Sequence, residues 1–100
     1  MSYFAVFREH GPGWDESRGM REQERWDEHA AFMDALAHEG FIVLGGPLGD
    51  GSRVLHIVEA ESERAVEERF AADPWTPMDL LRLASVEPWE VLLGKSSQGA

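Results

Sequence analysis

The strongest constraint on this chain is the way its hydrophobic period switches back and forth within one hundred residues. Residues 3–8 (YFAVFR), 41–44 (FIVL), 53–60 (RVLHIVEA) and 86–93 are short apolar runs that read as strands. Between the first two, Trp26, His29, Ala30, Met33, Leu36 and Ala37 recur at three- and four-residue steps. That spacing predicts a helix over about residues 20–39, closed by Gly40 as its C-terminal cap. A second helix starts from an N-cap at Ser62, runs through Ala65, Val66, Arg69 and Phe70, and is stopped by Asp73-Pro74. Gly45-Gly46-Pro47 is expected to end the second strand, and Asp50-Gly51 to turn a hairpin into the third. Residues 78–83 are expected to add a short helical turn. Strand, helix, strand, strand, helix, strand is the split βαβ order. It predicts an α+β, ferredoxin-like βαββαβ domain whose four-stranded antiparallel sheet carries both helices on one face.

A sheet with one wet face should alternate apolar and polar residues along each strand. YFAVF, FIVL and VLHIV instead place apolar residues at consecutive positions. Two helices cover one face only, so the pattern predicts a homodimer that closes the other, sheet against sheet. Residues 1–94 are expected to form this domain, with the small, polar KSSQGA of residues 95–100 as a flexible tail.

Composition narrows the partners. Nine Lys and Arg against nineteen Asp and Glu give a net charge of −10. The basic residues are scattered, so nucleic acid and anionic lipid surfaces are not expected partners. With no cysteine, disulfides, thiolate metal sites and cysteine nucleophiles are excluded. No apolar run approaches the ~20 residues needed to span a bilayer, and the first residues lack a signal-peptide pattern. The expected location is the cytoplasm, away from membranes.

Five pieces in fixed order carry a resemblance. They are Trp26-Asp-Glu-His29-Ala-Ala-Phe-Met-Asp-Ala-Leu36, Glu39-Gly40-Phe41, Gly45-Gly46-Pro47-Leu48, Ala72-Asp73-Pro74-Trp75 and Val86-Glu-Pro88-Trp89. Together they make the chain resemble the YCII-related (YciI-like) family over roughly residues 3–94. The resemblance implies the dimeric α/β-barrel arrangement of two ferredoxin-like sheets. It also implies an active site built from a helix-one histidine and the aspartate of an Asp-Pro step, here His29 and Asp73. Two positions depart from the family pattern. Trp26 stands where many members have an arginine three residues before the histidine, and Trp75-Thr-Pro-Met-Asp follows Asp73-Pro74 where a glycine is common.

Read from the residues alone, His29 is either a core histidine satisfied by one hydrogen bond or a site residue, and Asp73 is either a cap for the turn at Pro74 or its partner. The topology puts the start of helix one and the end of helix two at the same end of the helical layer, so contact within hydrogen-bond reach is expected. A carboxylate just past a helix C-terminus meets like partial charge, which an imidazole would offset. The carboxylate would in turn fix the ring's tautomer and raise its basicity. Such a pair suits proton transfer, since imidazole is a competent general base near neutral pH. Trp26, Trp75, His10 and Arg8 are the candidate ligand-binding residues, the tryptophans for a flat apolar ring and the arginine for an anionic group. His56 reads as a sheet-face residue and His38 as a cation at a helix end. Ser17, Ser52 and Ser62 lie in turns or at a cap, so no serine nucleophile is expected. His10, His29, His38 and His56 show no ligand spacing, so neither a metal nor a cofactor is expected. The leading function is a cofactor-free acid–base enzyme, a lyase or isomerase, on a small cyclic or aromatic metabolite. The alternative is a non-catalytic dimeric protein that binds a small-molecule ligand.

Overall fold

In the computed structural model residues 1–94 are described, and the expected tail at 95–100 lies outside the described residues. The chain forms β1 (Ser2–His10), a 3-10 turn (Met20–Glu22), α1 (Trp26–His38), β2 (Ile42–Leu48), β3 (Arg53–Ala60), α2 (Glu63–Ala71) and β4 (Leu81–Trp89). The sheet order is β2-β3-β1-β4 with every neighbouring pair antiparallel. This is the ferredoxin-like α+β arrangement expected from the order of elements. No helix among the described residues is long and apolar enough to cross a membrane.

Register decides which side chains meet. Along β1, Phe4, Val6 and Arg8 are buried while the residues between them are only half-buried, the period-2 signature of a pleated strand. Phe4 pairs with Val58, Val6 with His56 and Arg8 with Val54 on one side, and Val6 with Val86 on the other. Phe4, Val6 and Val58 pack with Leu36 of α1 and Val66 and Phe70 of α2 in one core. Each such side chain contributes about 1.5–3 kcal/mol by leaving water. The opposite sheet face holds Tyr3, Ala5, Phe7, Leu55, Ile57 and Trp89, with no helix over it. Trp89 remains 45% and Leu44 of β2 69% exposed.

Three element boundaries differ from expectation. α1 starts at Trp26 rather than near residue 20. The preceding stretch is tied into loops by Gln23, whose side-chain amide donates to the carbonyls of Asp15 and Arg18, and Arg25 then enters the left-handed region at φ 62°. β2 runs through Gly45-Gly46-Pro47 to Leu48. As an edge strand it tolerates a proline that lacks a ladder donor. β4 begins at Leu81 and ends at Trp89, so residues 81–83 pair with β1 instead of forming a helical turn.

One irregularity in β2 positions the site. Ile42 pairs with Val58 but Leu44 pairs with Ile57, so Val43 is an extra residue, a β-bulge. The bulge reverses the facing of everything after it. Leu44 turns to the open sheet face, and Gly45 comes to lie opposite His56 on the helix side.

Candidate active site

His29 lies one turn into α1, and Asp73 follows the C-cap of α2 at Ala72. His29 Nδ1 is 2.9 Å from each carboxylate oxygen of Asp73. Asp73 Oδ1 also accepts the backbone N–H of Trp75 at 2.9 Å, so the aspartate caps its own turn and meets the histidine with the same group. On the other side Arg8 Nη1 stands 3.0 Å from Asp73 Oδ2. By distance that contact is an ion pair, while Asp73 Oδ2 and Arg8 Nε are buried without a hydrogen bond. Asp73 and Arg8 are each 1% exposed.

A second set of contacts fixes the imidazole plane. Trp75, fully buried, stacks on the His29 ring with centroids 3.8 Å apart and planes 5° from parallel. Its indole Nε1 donates to the carbonyl of Glu24 at 2.7 Å, which ties the turn after α2 to the approach to α1. Leu80, Leu81, Trp14 and Met20 pack around it in a small core of their own.

The electrostatics follow from this packing. Burial pushes the Asp73 carboxyl up. The hydrogen bond from His29, the Trp75 N–H and the Arg8 cation outweigh it and hold Asp73 below the ordinary 3.8. Burial lowers the Arg8 guanidinium from its usual value, with Asp73 pulling the other way. Asp73 is therefore an anion that can only accept, so in the neutral His29 ring the Nδ1 nitrogen carries the proton. The Nε2 nitrogen then keeps its lone pair, and no protein group among the described residues bonds it.

His29 opens on a groove of about 340 Å³ between α1 and β2, lined among others by Trp26, Met33, Ile42, Gly45 and His56. Its walls are largely apolar, with the two imidazoles and the Asp34 carboxylate as the polar side chains. His56, on β3, is 5% exposed, and its Nδ1 is buried without a partner. Burial, then the Arg8 cation and His29, lower the His56 pKa from 6.5 to about 4, against the opposing pull of Asp73. Gly45 exists at its position for the sake of this ring. A Cβ there would fall 2.6 Å from His56 Cδ2, closer than such atoms approach.

This arrangement gives stability a signed dependence on pH. Between pH 6.5 and about 4 the unfolded chain protonates His56 and the folded one does not, so stability falls as pH falls through that window. The full effect is about 3 kcal/mol. Asp73, whose folded pKa is depressed, adds a loss of the same sign that begins only as pH drops below its unfolded value near 3.8. Urea unfolding at a series of pH values should show the upper phase in the native chain and lose it in His56→Phe. An unchanged phase in the variant would contradict the assignment.

The structure brings His29 and Trp26 together at the groove, with their rings 5.7 Å apart, and sets Asp73 behind His29. Trp75 belongs to the same cluster but stands behind His29 at zero exposure, as support for the ring rather than as a wall of the groove. Arg8, expected to hold an anionic ligand group, is enclosed, and its charge faces Asp73. His10 stacks on Trp14 at 3.7 Å in an adjoining cavity with Asp50 and Trp75, apart from the groove. Among the described residues no three His, Asp or Glu side chains converge as a metal site would require. His56 and Gly45 were not foreseen. The available signal was a lone polar residue in the middle of the apolar strand VLHIV.

The model of the YCII-related domain matches residues 2–90. The chain belongs to the YCII-related family. A solved structure similar to this YCII-related domain is the 5-chloro-2-hydroxyhydroquinone dehydrochlorinase of Burkholderia phenoliruptrix, in complex with 2,5-dihydroxybenzoquinone. It is 28% identical, covers 96% of this chain and 99% of its own, and superposes with a TM-score of 0.57. Comparison of the YCII-related domain with curated proteins gave no match.

Proposed function

We propose that this YCII-related protein is a cofactor-free acid–base enzyme of the lyase type, acting on a small hydroxylated ring through a His29–Asp73 dyad. The observation that carries the proposal is the held imidazole. Its Nδ1 is bound to a buried anionic Asp73, its face is stacked on Trp75, and its Nε2 is left unbonded at an apolar groove. A core histidine needs one partner. This one has its orientation fixed on two sides and a basic nitrogen free. Trp26, Met33 and Ile42 suit a flat apolar ligand, and likeness to a dehydrochlorinase bound to a dihydroxyquinone supports a ring bearing oxygens and a leaving group.

The step is a conjugate elimination. The substrate is a ring tautomer whose leaving-group carbon is saturated and adjoins a C=C–OH unit. His29 Nε2 takes the hydroxyl proton, and the O–H electron pair becomes the carbonyl π bond. The former C=C pair shifts toward the saturated carbon, and the leaving group departs with the pair of its broken bond. The net change is loss of one proton and one leaving-group anion. Asp73 stabilises the imidazolium formed on the way. The test is to incubate the protein with 5-chloro-2-hydroxyhydroquinone and its bromo analogue under anaerobic conditions and follow free halide. Release at a rate proportional to protein concentration supports the reading. Binding of 2,5-dihydroxybenzoquinone with no halide release from any member would make this a binding protein instead.

We infer further that a second copy of the chain covers the sheet face that carries Tyr3, Phe7, Leu55, Ile57, Leu44 and Trp89. An interface of this obligate kind buries roughly 2,000 Å² or more in total. Sedimentation equilibrium at low micromolar concentration should return twice the 11.2 kDa chain mass. A clean monomer would contradict the inference.

A further inference from the structure

We propose that His56 is a second ligand-contacting residue, a neutral hydrogen-bond donor that holds a carbonyl or oxyanion oxygen of the ring whose hydroxyl faces His29. This rests on the reading of the groove as an enzyme site and names the substrate class more closely: a ring with two conjugated oxygens, one O–H and one C=O.

Three observations carry it. The first is an imbalance on the ring itself. Nδ1 of His56 is buried without a partner, whereas Nε2 has no protein partner among the described residues and is not sealed off. Of the two neutral tautomers, the one that buries a bare lone pair costs less than the one that buries an orphaned N–H. The proton therefore resides on Nε2. The second is Gly45. A side chain there would sit 2.6 Å from Cδ2 and 3.5 Å from Nε2, so the missing Cβ uncovers the edge of the ring that carries the donor. Gly45 and His56 both line the groove that His29 lines. The third is the charge environment. Burial, Arg8 and His29 all disfavour the doubly protonated ring, so His56 stays a single donor down to about pH 4.

The groove thus offers two unlike nitrogens, an acceptor on His29 and a donor on His56. The elimination carries the electron pair from the deprotonated oxygen through the C=C to the leaving group, so the second ring oxygen keeps its carbonyl character and accepts from the His56 N–H. A fixed N–H at that oxygen holds the ring with its hydroxyl toward His29. A ring with only one oxygen would satisfy one nitrogen and leave the other bare, which is the basis for discrimination.

Two measurements test the proposal. Long-range proton–nitrogen NMR of the native dimer or monomer at pH 7.5 should show His56 protonated at Nε2. An Nδ1–H tautomer overturns the proposal whatever the ligand. Titration with 2,5-dihydroxybenzoquinone, read by tryptophan fluorescence, should give binding weakened about 10- to 100-fold in His56→Phe. His56→Gln, whose amide can place an N–H near the lost Nε2, should stay within about 5-fold of the native chain. His56→Phe should melt at or above the native temperature, since it removes a buried orphan nitrogen. Native-like probe affinity in His56→Phe overturns the role of His56 alone. Failure of the native chain to bind the probe counts against the proposed function, and the NMR tautomer still decides His56.

Discussion

Asp73→Ala is expected to destabilise the protein by about 3–5 kcal/mol, because it leaves the Arg8 cation buried without its counter-charge. The same change removes the acceptor for the Trp75 N–H and for His29 Nδ1. A domain this size has about 5–15 kcal/mol in all, so the variant should melt about 15–30 °C lower or fail to fold. The origin of the loss is testable by a second change. Arg8→Met combined with Asp73→Asn removes both charges and keeps an acceptor for Trp75, and should recover a large part of the stability. Thermal melts at equal protein concentration check both. A loss below about 1 kcal/mol in Asp73→Ala, the range of exposed ion pairs, would mean that the buried pair is not the structural centre described above.

His29→Gln is expected to do the reverse: little to the fold and much to the chemistry. The glutamine loses the stack on Trp75 but can still donate to Asp73, so the melting temperature should move by only a few degrees. Removal of a general base lowers the rate by about 10²- to 10⁴-fold. The loss should appear in kcat for halide release, with the affinity for 2,5-dihydroxybenzoquinone changed much less. Asp73→Asn should lower kcat as well, since an amide neither enforces the Nδ1–H tautomer nor stabilises the imidazolium. If His29→Gln instead melted far below the native protein and handled the ligand unchanged, His29 would be a core residue and the elimination would need another base.

The fold was legible because its signals are local. Leu36 and Met33 at helical spacing, Ser62 as an N-cap and Gly40 at φ 90° need no knowledge of the rest of the chain. The misread boundaries are places where tertiary contacts override local preference. Residues 81–83 suit a helix but pair with β1. Gly45-Gly46-Pro47 has the composition of a stop, yet it continues an edge strand paired with β3, with Gly45 opposite His56. Residues 20–25 are helix formers that reach only a 3-10 turn, because Gln23 ties the stretch to the carbonyls of Asp15 and Arg18.

The site was legible in part for the same reason. The meeting of His29 with Asp73 fits two antiparallel helices, and the family resemblance singles out the same two residues. Arg8 and His56 depend on register and facing. Which side of β1 and β3 looks at the helices, and where the bulge at Val43 turns β2, is settled only when the strands are paired. Arg8 accordingly read as a free cation and His56 as an ordinary sheet residue. In the folded chain the first holds Asp73 and the second faces the groove.

The central claim is that Asp73 holds the His29 proton on Nδ1 and leaves Nε2 as the base in the groove. Long-range proton–nitrogen NMR of the His29 ring in the neutral form, with and without 2,5-dihydroxybenzoquinone, tests it most directly. The account predicts the Nδ1–H tautomer, an Nε2 resonance that shifts on addition of the quinone, and loss of the tautomer preference in Asp73→Asn. A ring protonated at Nε2, or one indifferent to both the quinone and Asp73, would contradict it.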